Sequence, residues 1–365
     1  MLPAIARLVE QTQEALSAQT ALCIQGGNSK SWYGPNPTGE PISTTSLNGI
    51  RSYEPSELVV TVLAGTPLQE LEDALAQCGQ CLAFEPPRFN ASTTVGGMVA
   101  TGLSGPARLS QGGMRDFVLG ATLLSGKGEL MSFGGQVIKN VAGYDVSRLL
   151  VGSMGVLGMM VEVSLKVLPV LPATATLHFG CTQADAIVRM NQWGGQALPI
   201  HASTWWNGTL VVRMSGARAA VDSAIKQFVQ QGAELIDPAR ATAFWLGLRD
   251  QQDEFFVLAG KAQQDLGASL WRLSVPQASP PLSLLGEPML EWGGALRWLS
   301  SDLPDSEIRT AARRAGGHAT RYRAENRTGA VFEPLPEPLM RIHRDLKKAF
   351  DPHCVFNPGR LYADL

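Results

Sequence analysis

The stretch QGGNSKSWYG, residues 25–34, follows a short apolar run at residues 21–24 and contains adjacent glycines, small polar residues and a lysine. Glycine lets another group approach the main chain closely, and asparagine tolerates left-handed φ values. The spacing is neither that of a dinucleotide-binding G-x-G-x-x-G loop nor that of a Walker loop. Taken alone, the stretch indicates a tight turn after a buried strand.

Two further glycine-rich regions, residues 92–105 and 152–158, change that interpretation. Each is rich in glycine and borders a predicted strand, and residues 86–115 are too poor in large side chains to build a core of their own. Backbone amides in such loops form nests that bind phosphate. Three of them predict an extended cofactor held along its length, a pattern more typical of a flavin-binding than of a nicotinamide-binding fold.

Composition limits the classes of protein that this chain can belong to. It has 365 residues, of which 45% are hydrophobic and 17% charged, enough for two globular domains. A formal net charge of -2 gives no field that attracts a polyanion, so we expect no nucleic-acid partner. The N-terminus lacks a signal-peptide pattern, and five scattered cysteines fit a reducing compartment. We therefore expect a cytoplasmic protein without a metal site.

The order of predicted elements indicates where the domains divide. Residues 58–79 read as a strand followed by a helix that Thr66 caps, with Pro67 in its first turn. Residues 161–167 alternate apolar with polar side chains, which predicts one buried and one solvent-facing side of a strand. Prolines at 169 and 172 mark a boundary, after which the order becomes β, α, β, β, α. No internal sequence repeat is evident.

Five motifs in order carry a resemblance to a known family: QGGNSKSWYG, TTVGGMVATGLSG, MRDFVLGATLLSGKGE, KNVAGYDVSRLLVGSMGVLG and FDPHCVFNPGR. They resemble the FAD-binding family typified by vanillyl-alcohol oxidase and para-cresol methylhydroxylase, and within it the FAD-binding subunits of bacterial glycolate oxidase complexes. The resemblance implies an α+β fold with a two-part FAD-binding domain and a ferredoxin-like antiparallel cap domain. The implied bounds are 1–170 for the FAD domain, 171–330 for the cap and 331–365 for a C-terminal return to the FAD domain.

The resemblance also implies which residues contact the cofactor. They are Gly26, Gly27, Asn28, Ser29 and Lys30 at the pyrophosphate, Thr93, Thr94, Gly96 and Gly97 at the second phosphate and ribityl chain, Ser104, Gly105 and Arg108 beside the isoalloxazine, Gly155, Gly158 and Val161 on the adenine side, and Asn357 in the C-terminal return. Lys30 is either a counter-charge for phosphate or only a loop residue.

Departures from the family pattern bear on attachment and catalysis. No histidine precedes His178, so we expect FAD to be held non-covalently. The H-x-G-D-G-N-x-H-type segment that supplies a metal and a base in relatives oxidising 2-hydroxy acids is missing. The resemblance implies a paralogous flavoprotein subunit and an iron-sulfur subunit as partners, with membrane contact only through the complex. The chain is then either the subunit that oxidises a small 2-hydroxy acid such as glycolate or a non-catalytic scaffold or electron-relay subunit.

The catalytic residues cannot be assigned from the sequence, but His318 and Arg321 are candidates. Oxidising a hydroxy acid needs a base with a pKa near neutrality and a cation for the carboxylate. In the segment GGHATRYR, His318 and Arg321 lie on opposite faces if the chain forms a strand. A structural or interface role for His318 is the alternative.

Overall fold

The computed structural model describes residues 2–135 and 145–365, which form two compact units. The first unit contains residues 2–103, 113–135, 145–169 and 334–365; the second contains 104–112 and 170–333. Residues 104–112, which the sequence analysis assigned to the FAD domain, therefore belong to the second unit. Part of the motif KNVAGYDVSRLLVGSMGVLG lies outside the described residues.

The described residues form eleven α-helices. In chain order they are α1 Pro3–Ala18, α2 Leu68–Gln77, α3 Val95–Thr101, α4 Arg108–Gln111, α5 Val146–Leu149, α6 Gln183–Gly194, α7 Arg218–Gln230, α8 Pro238–Arg249, α9 Glu254–Leu266, α10 Asp305–Arg314 and α11 Glu337–Phe350. No helix in these ranges has the length and apolar composition needed to cross a bilayer.

The same ranges contain seventeen β-strands. They are β1 Leu22–Gln25, β2 Glu40–Ser43, β3 Ile50–Glu54, β4 Val59–Leu63, β5 Gln80–Cys81, β6 Val118–Leu124, β7 Leu130–Gly134, β8 Met159–Lys166, β9 Leu168–Pro169, β10 Ala173–Gly180, β11 Ile200–Trp206, β12 Thr209–Gly216, β13 Glu234–Leu235, β14 Ser269–Ser274, β15 Met289–Glu291, β16 Leu296–Ser301 and β17 His318–Arg323.

The first unit is built on a five-stranded antiparallel sheet with the order β3-β4-β8-β6-β7, beside a parallel pair β1-β2. Strand β8 is central, so both of its faces are largely buried, and the predicted solvent-facing side is wrong for Ser164, whose hydroxyl bonds that of Thr61. The helix after β4 begins at Leu68 instead of Pro67. Thr66 does not cap it, because the Thr66 hydroxyl accepts a hydrogen bond from the Gly49 N–H.

The second unit is one eight-stranded sheet made of two ferredoxin-like halves. The first half, β10-α6-β11-β12-α7-β13, has the spatial strand order β13-β10-β12-β11. The second half, β14 to β17, has the mirrored order β15-β16-β14-β17, and the halves meet where β11 pairs with β15. A loop at residues 275–288 stands where the first half has helix α6. The structural repeat is hidden in the sequence because one of its helices is missing.

Candidate functional site

A cleft in the first unit brings most of the predicted cofactor residues together. The predicted residues that line it are Gly26, Gly27, Asn28, Ser29, Lys30, Thr94, Gly96, Gly97, Gly155, Gly158 and Asn357.

The loop after β1 presents a run of free backbone donors to this cleft. Within the described part of the chain, no hydrogen bond is formed by the backbone N–H groups of residues 26–30. Asn28 has a left-handed φ of 53°, and the Ser92 hydroxyl bonds the Gly27 carbonyl, so the loop is held in its curve. Consecutive unpaired N–H groups around a left-handed residue make an anion-binding nest.

Lys30 adds a buried positive charge to the nest. Its side chain is 7% exposed, and Nζ donates to the Ser29 hydroxyl at 3.3 Å. No carboxylate of the described residues pairs with it, and desolvation by burial lowers the pKa of Lys30 from 10.5 to about 8. A desolvated ammonium without a counter-ion is stabilised by an incoming anion. This arrangement favours the counter-charge role over that of a simple loop residue.

The second glycine motif shapes the cleft but has fewer donors left for a ligand. The Gly96 N–H donates to the Ala64 carbonyl at 2.7 Å, and the Gly97 N–H donates to the Thr94 hydroxyl at 3.3 Å. A Cβ on Gly96 would lie 2.8 Å from Cβ of Ala64. These glycines therefore let α3 pack closely against the end of β4, which keeps the cleft open beside the nest.

Asn357 holds two walls of the cleft together. Its Oδ1 accepts a hydrogen bond from the Ile24 N–H, and its Nδ2 donates to the Met154 carbonyl, both at 2.7 Å. Met154 and Gly155 both have positive φ, and a Cβ on Gly155 would lie 2.6 Å from Nδ2 of Asn357. The C-terminal segment thus returns to the cleft, where the Asn357 side chain is occupied in joining β1 to the glycine loop before β8.

The structure places Arg360, which the sequence analysis passed over, in the same cleft. It follows Asn357 in the quoted motif NPGR, and its guanidinium bonds the carbonyls of Pro35 and Ser31. Two cations, Arg360 and Lys30, therefore line one cleft. The basic residue at the end of NPGR was the signal that could have identified it.

Five predicted residues do not line this cleft. Thr93 is buried behind it, where its hydroxyl donates to that of Ser29 at 3.0 Å, and Val161 packs in the core of the first unit. Ser104, Gly105 and Arg108 belong to the second unit. Thr93 and Val161 thus support the cleft from behind.

Within the second unit, Arg108 is part of an arginine–tryptophan cluster. The guanidinium carbon atoms of Arg108 and Arg272 lie 4.5 Å and 5.1 Å from the centroid of a Trp292 ring. The indole N–H of Trp292 donates to the Gly105 carbonyl at 3.0 Å, which anchors residues 104–112 to the sheet. Trp292 has a left-handed φ of 52°, a strained value for an aromatic residue. Strain of this kind is common at ligand sites.

Of the two catalytic candidates, His318 lies beside this cluster and Arg321 is engaged elsewhere. His318 begins the edge strand β17, and its pKa is lowered by partial desolvation and then by the charge of Arg272. The neutral imidazole is therefore the main form at neutral pH. Arg321 lies 3.4 Å from the Asp305 carboxylate and bonds the Thr328 carbonyl. The cation that acts on His318 is therefore Arg272, a residue that the sequence analysis missed.

The two units contain residues that suit different chemical tasks. The first unit has a nest and two cations that line one cleft, and these residues fit the pyrophosphate of FAD. The second unit has two arginines on one indole and a neutral histidine, a combination that can bind a carboxylate and accept a proton.

Comparisons with known proteins identify the family of FAD-binding proteins that the chain resembles. A family described as "FAD binding domain" matches residues 4–134. Glycolate oxidase subunit GlcE of Escherichia coli strain K12 is 44% identical over 358 residues, which are 98% of this chain and 97% of that protein. Glycolate oxidase subunit GlcD of Bacillus subtilis strain 168 is 32% identical over 123 residues, 34% of this chain and 26% of that protein.

Among solved structures, alkyldihydroxyacetonephosphate synthase superposes with a TM-score of 0.63 at 16% identity. The match covers 97% of this chain and 75% of that one. At this level of identity the likeness concerns the fold alone.

Proposed function

The chain belongs to the family of glycolate oxidase subunit GlcE and is an FAD-dependent oxidoreductase component, and we propose that it is the FAD-binding subunit of a glycolate dehydrogenase complex. In this proposal glycolate is oxidised to glyoxylate, and the two electrons pass through an iron-sulfur subunit to a quinone. A paralogous flavoprotein subunit completes the assembly. Both the GlcE relative and the GlcD relative are named as subunits, which supports an assembly of several chains.

The observation that carries the proposal is the run of unpaired N–H groups at residues 26–30 beside the buried Lys30. A diphosphate is the part of FAD that such a nest with a cation can bind. Thr93 fixes Ser29 from behind, and Asn357 fixes the opposite wall. With no histidine before His178, we infer that these contacts hold FAD non-covalently.

When bound, FAD supplies the two-electron oxidising chemistry. The residues of the second unit that suit a 2-hydroxy acid are Arg272 and Arg108 for its carboxylate and His318 for its hydroxyl proton. Arginine suits the first task because its planar donors match a carboxylate. The neutral form of His318 suits the second, since only an unprotonated imidazole can accept a proton.

The alternative is a scaffold or electron-relay subunit whose paralogue oxidises the substrate. The missing H-x-G-D-G-N-x-H-type segment favours it. In addition, no group of three or more His, Cys, Asp or Glu side chains in the described ranges could hold a metal ion. In this alternative the cleft binds FAD, and the second unit has no part in substrate chemistry.

An anaerobic absorbance spectrum before and after glycolate addition distinguishes the two. It is recorded on the chain alone and then with its two proposed partners. Glycolate-dependent bleaching of the flavin band in the lone chain supports the catalytic role. Bleaching that needs the paralogous subunit supports the relay role, and a complex that glycolate does not reduce contradicts the proposed substrate.

A further inference from the structure

A small cavity in the second unit is lined by none of the residues assigned to FAD or glycolate. Its volume is about 20 Å³, enough for one water molecule or one monatomic ion. The sheet face formed by β14 and β16 is its floor, and Gln183, the first residue of α6, lies at its side. The 275–288 loop covers it where the second half lacks a helix. The cavity is therefore a gap between a helix of one half and a loop of the other.

A buried guanidinium lies on the floor of this cavity. Arg297 is 1% exposed, and its three nitrogens donate to the backbone carbonyls of Gly294, Pro280 and Ser279. A guanidinium has five N–H groups, so two of them have no acceptor among the described residues. No carboxylate of those residues pairs with Arg297, and burial lowers its pKa to about 10. Carbonyl oxygens accept hydrogen bonds without cancelling the charge, and buried charges are normally paired.

A second donor in the cavity lacks a partner. Nε2 of Gln183 is buried and forms no hydrogen bond with the described residues. Native structures rarely leave a buried donor unpaired without a reason, because its lost hydration is not replaced. The unpaired amide and the unused N–H groups of Arg297 belong to residues that line the same cavity.

The hydrogen-bonding character of the walls distinguishes an anion from a water molecule. The remaining side chains of the lining are apolar, those of Leu273, Leu282, Leu284, Pro288 and Leu299. A water molecule has two hydrogens that need acceptors of their own, and it leaves the guanidinium charge uncancelled. A halide ion only accepts hydrogen bonds, and it brings the one negative charge that the site lacks. The volume excludes carboxylates and phosphates.

We propose that this cavity is a chloride site, in which the ion accepts hydrogen bonds from Arg297 and Gln183. Gln183 belongs to α6 in the first half of the second unit, whereas two of the carbonyls that bind Arg297 belong to the loop of the second half. The chloride ion thus links this loop to α6 and holds it on the sheet in place of the missing helix.

The test uses the full-length, FAD-loaded chain at constant ionic strength, with chloride exchanged for gluconate, which is too large for the cavity. We expect the protein to broaden the NMR line of chloride, with saturation at millimolar chloride. Gln183→Leu should raise the dissociation constant roughly tenfold, because one hydrogen bond to a charged group is lost. Leu282→Phe should abolish this binding by filling the cavity. Gln192→Leu, on the exposed face of the same helix, is the matched control and should bind like the wild type.

Crystals grown with bromide in place of chloride locate the ion. We expect an anomalous peak beside Arg297 and Gln183 in the wild type and none there in Leu282→Phe. Gln183 is only partly buried, so its variant should fold, and circular dichroism checks this. Wild-type line broadening in both variants, or a site that holds water and no bromide, would overturn the proposal. The readout is anion binding, so it does not depend on whether the chain oxidises glycolate.

Discussion

The Asn357 side chain accepts a hydrogen bond from the backbone N–H of Ile24, 333 residues earlier in the sequence. It also donates to Met154, so one side chain bridges three segments of the first unit. Asn357→Ala would leave both backbone groups unpaired in a buried site. We expect the free energy of unfolding to fall by about 2–6 kcal/mol, since each of the two orphaned groups costs about 1–3 kcal/mol. Chemical denaturation monitored by circular dichroism measures this.

Asn207→Ala is the matched control for that variant. Asn207 also has a left-handed φ, of 48°, but lies in an exposed turn between β11 and β12. Both substitutions carry the same backbone strain, and only Asn357 loses buried side-chain bonds. Equal losses of stability would show that the bridge contributes nothing beyond its backbone conformation.

Lys30 makes FAD affinity depend on pH. Its pKa of about 8 in the free chain means that it is charged below pH 8 and increasingly neutral above it. Because the diphosphate binds the charged form, binding above pH 8 must take up a proton, and affinity should fall by up to about tenfold per pH unit. Fluorescence titrations between pH 7 and 9.5 measure the slope.

The variant Lys30→Met should bind FAD more weakly at pH 7 and lose most of that slope. Lys127→Met, in an exposed turn, keeps the pH dependence of the wild type. A slope that survives Lys30→Met would assign the titration to another group.

Gly27 leaves no room for a side chain. A Cβ at this position would overlap the backbone carbonyl of Ser92, so the backbone at Gly27 or at Ser92 would have to shift. Gly27→Ala should therefore raise the dissociation constant of FAD by roughly tenfold or more, since overpacking of this kind costs about 1–3 kcal/mol. In the control Gly194→Ala, the added Cβ meets no atom within 4 Å, and FAD binding should be unchanged. Wild-type affinity in Gly27→Ala would mean that the loop does not contact FAD.

Lys347 and Asp351 form a buried ion pair at 2.7 Å near the C-terminal return. Lys347 also bonds the carbonyls of Val156 and Phe356, and Asp351 accepts from two backbone N–H groups. Asp351→Asn leaves the buried ammonium uncompensated, which should cost about 3–5 kcal/mol of unfolding free energy. Asp345 is exposed on α11, the helix that contains Lys347, and Asp345→Asn should leave the denaturation midpoint unchanged. A small effect at Asp351 would show that water compensates the charge.

If the second unit binds glycolate, Arg272→Met should raise KM for glycolate in the assembled complex roughly tenfold or more, with a smaller effect on kcat. The reason is the lost charged hydrogen bond to the carboxylate. Arg314→Met removes an exposed arginine from α10 and should change neither constant. An unchanged KM in Arg272→Met would favour the relay role of the chain.

The sequence predicted the nest because its requirements are local. Gly26, Gly27 and Asn28 are needed for backbone shape, and that need is visible in a few consecutive letters. Arg360 was missed because its guanidinium reaches Pro35 only after the C-terminal segment has folded back. The cluster of Arg108, Arg272 and Trp292 likewise depends on which strands pair in the second unit.

The alternating apolar and polar residues of β8 gave a wrong prediction for Ser164, because burial also depends on the order of strands in the sheet. Period-2 patterns distinguish the two faces of a strand, but only the sheet order shows that β8 is central and that Ser164 is covered. The repeat in the second unit escaped notice because the 275–288 loop replaces one helix, which removes the periodic pattern that a repeat would show.

The most direct test of the account is a titration of the flavin-free chain with FAD, followed by flavin fluorescence and absorbance. We predict one FAD per chain, bound tightly enough to be retained on gel filtration and released by denaturation as free flavin. The assignment of the cleft would be contradicted if the wild-type chain took up no FAD. It would also be contradicted if the variants Gly27→Ala and Lys30→Met bound FAD as tightly as the wild type.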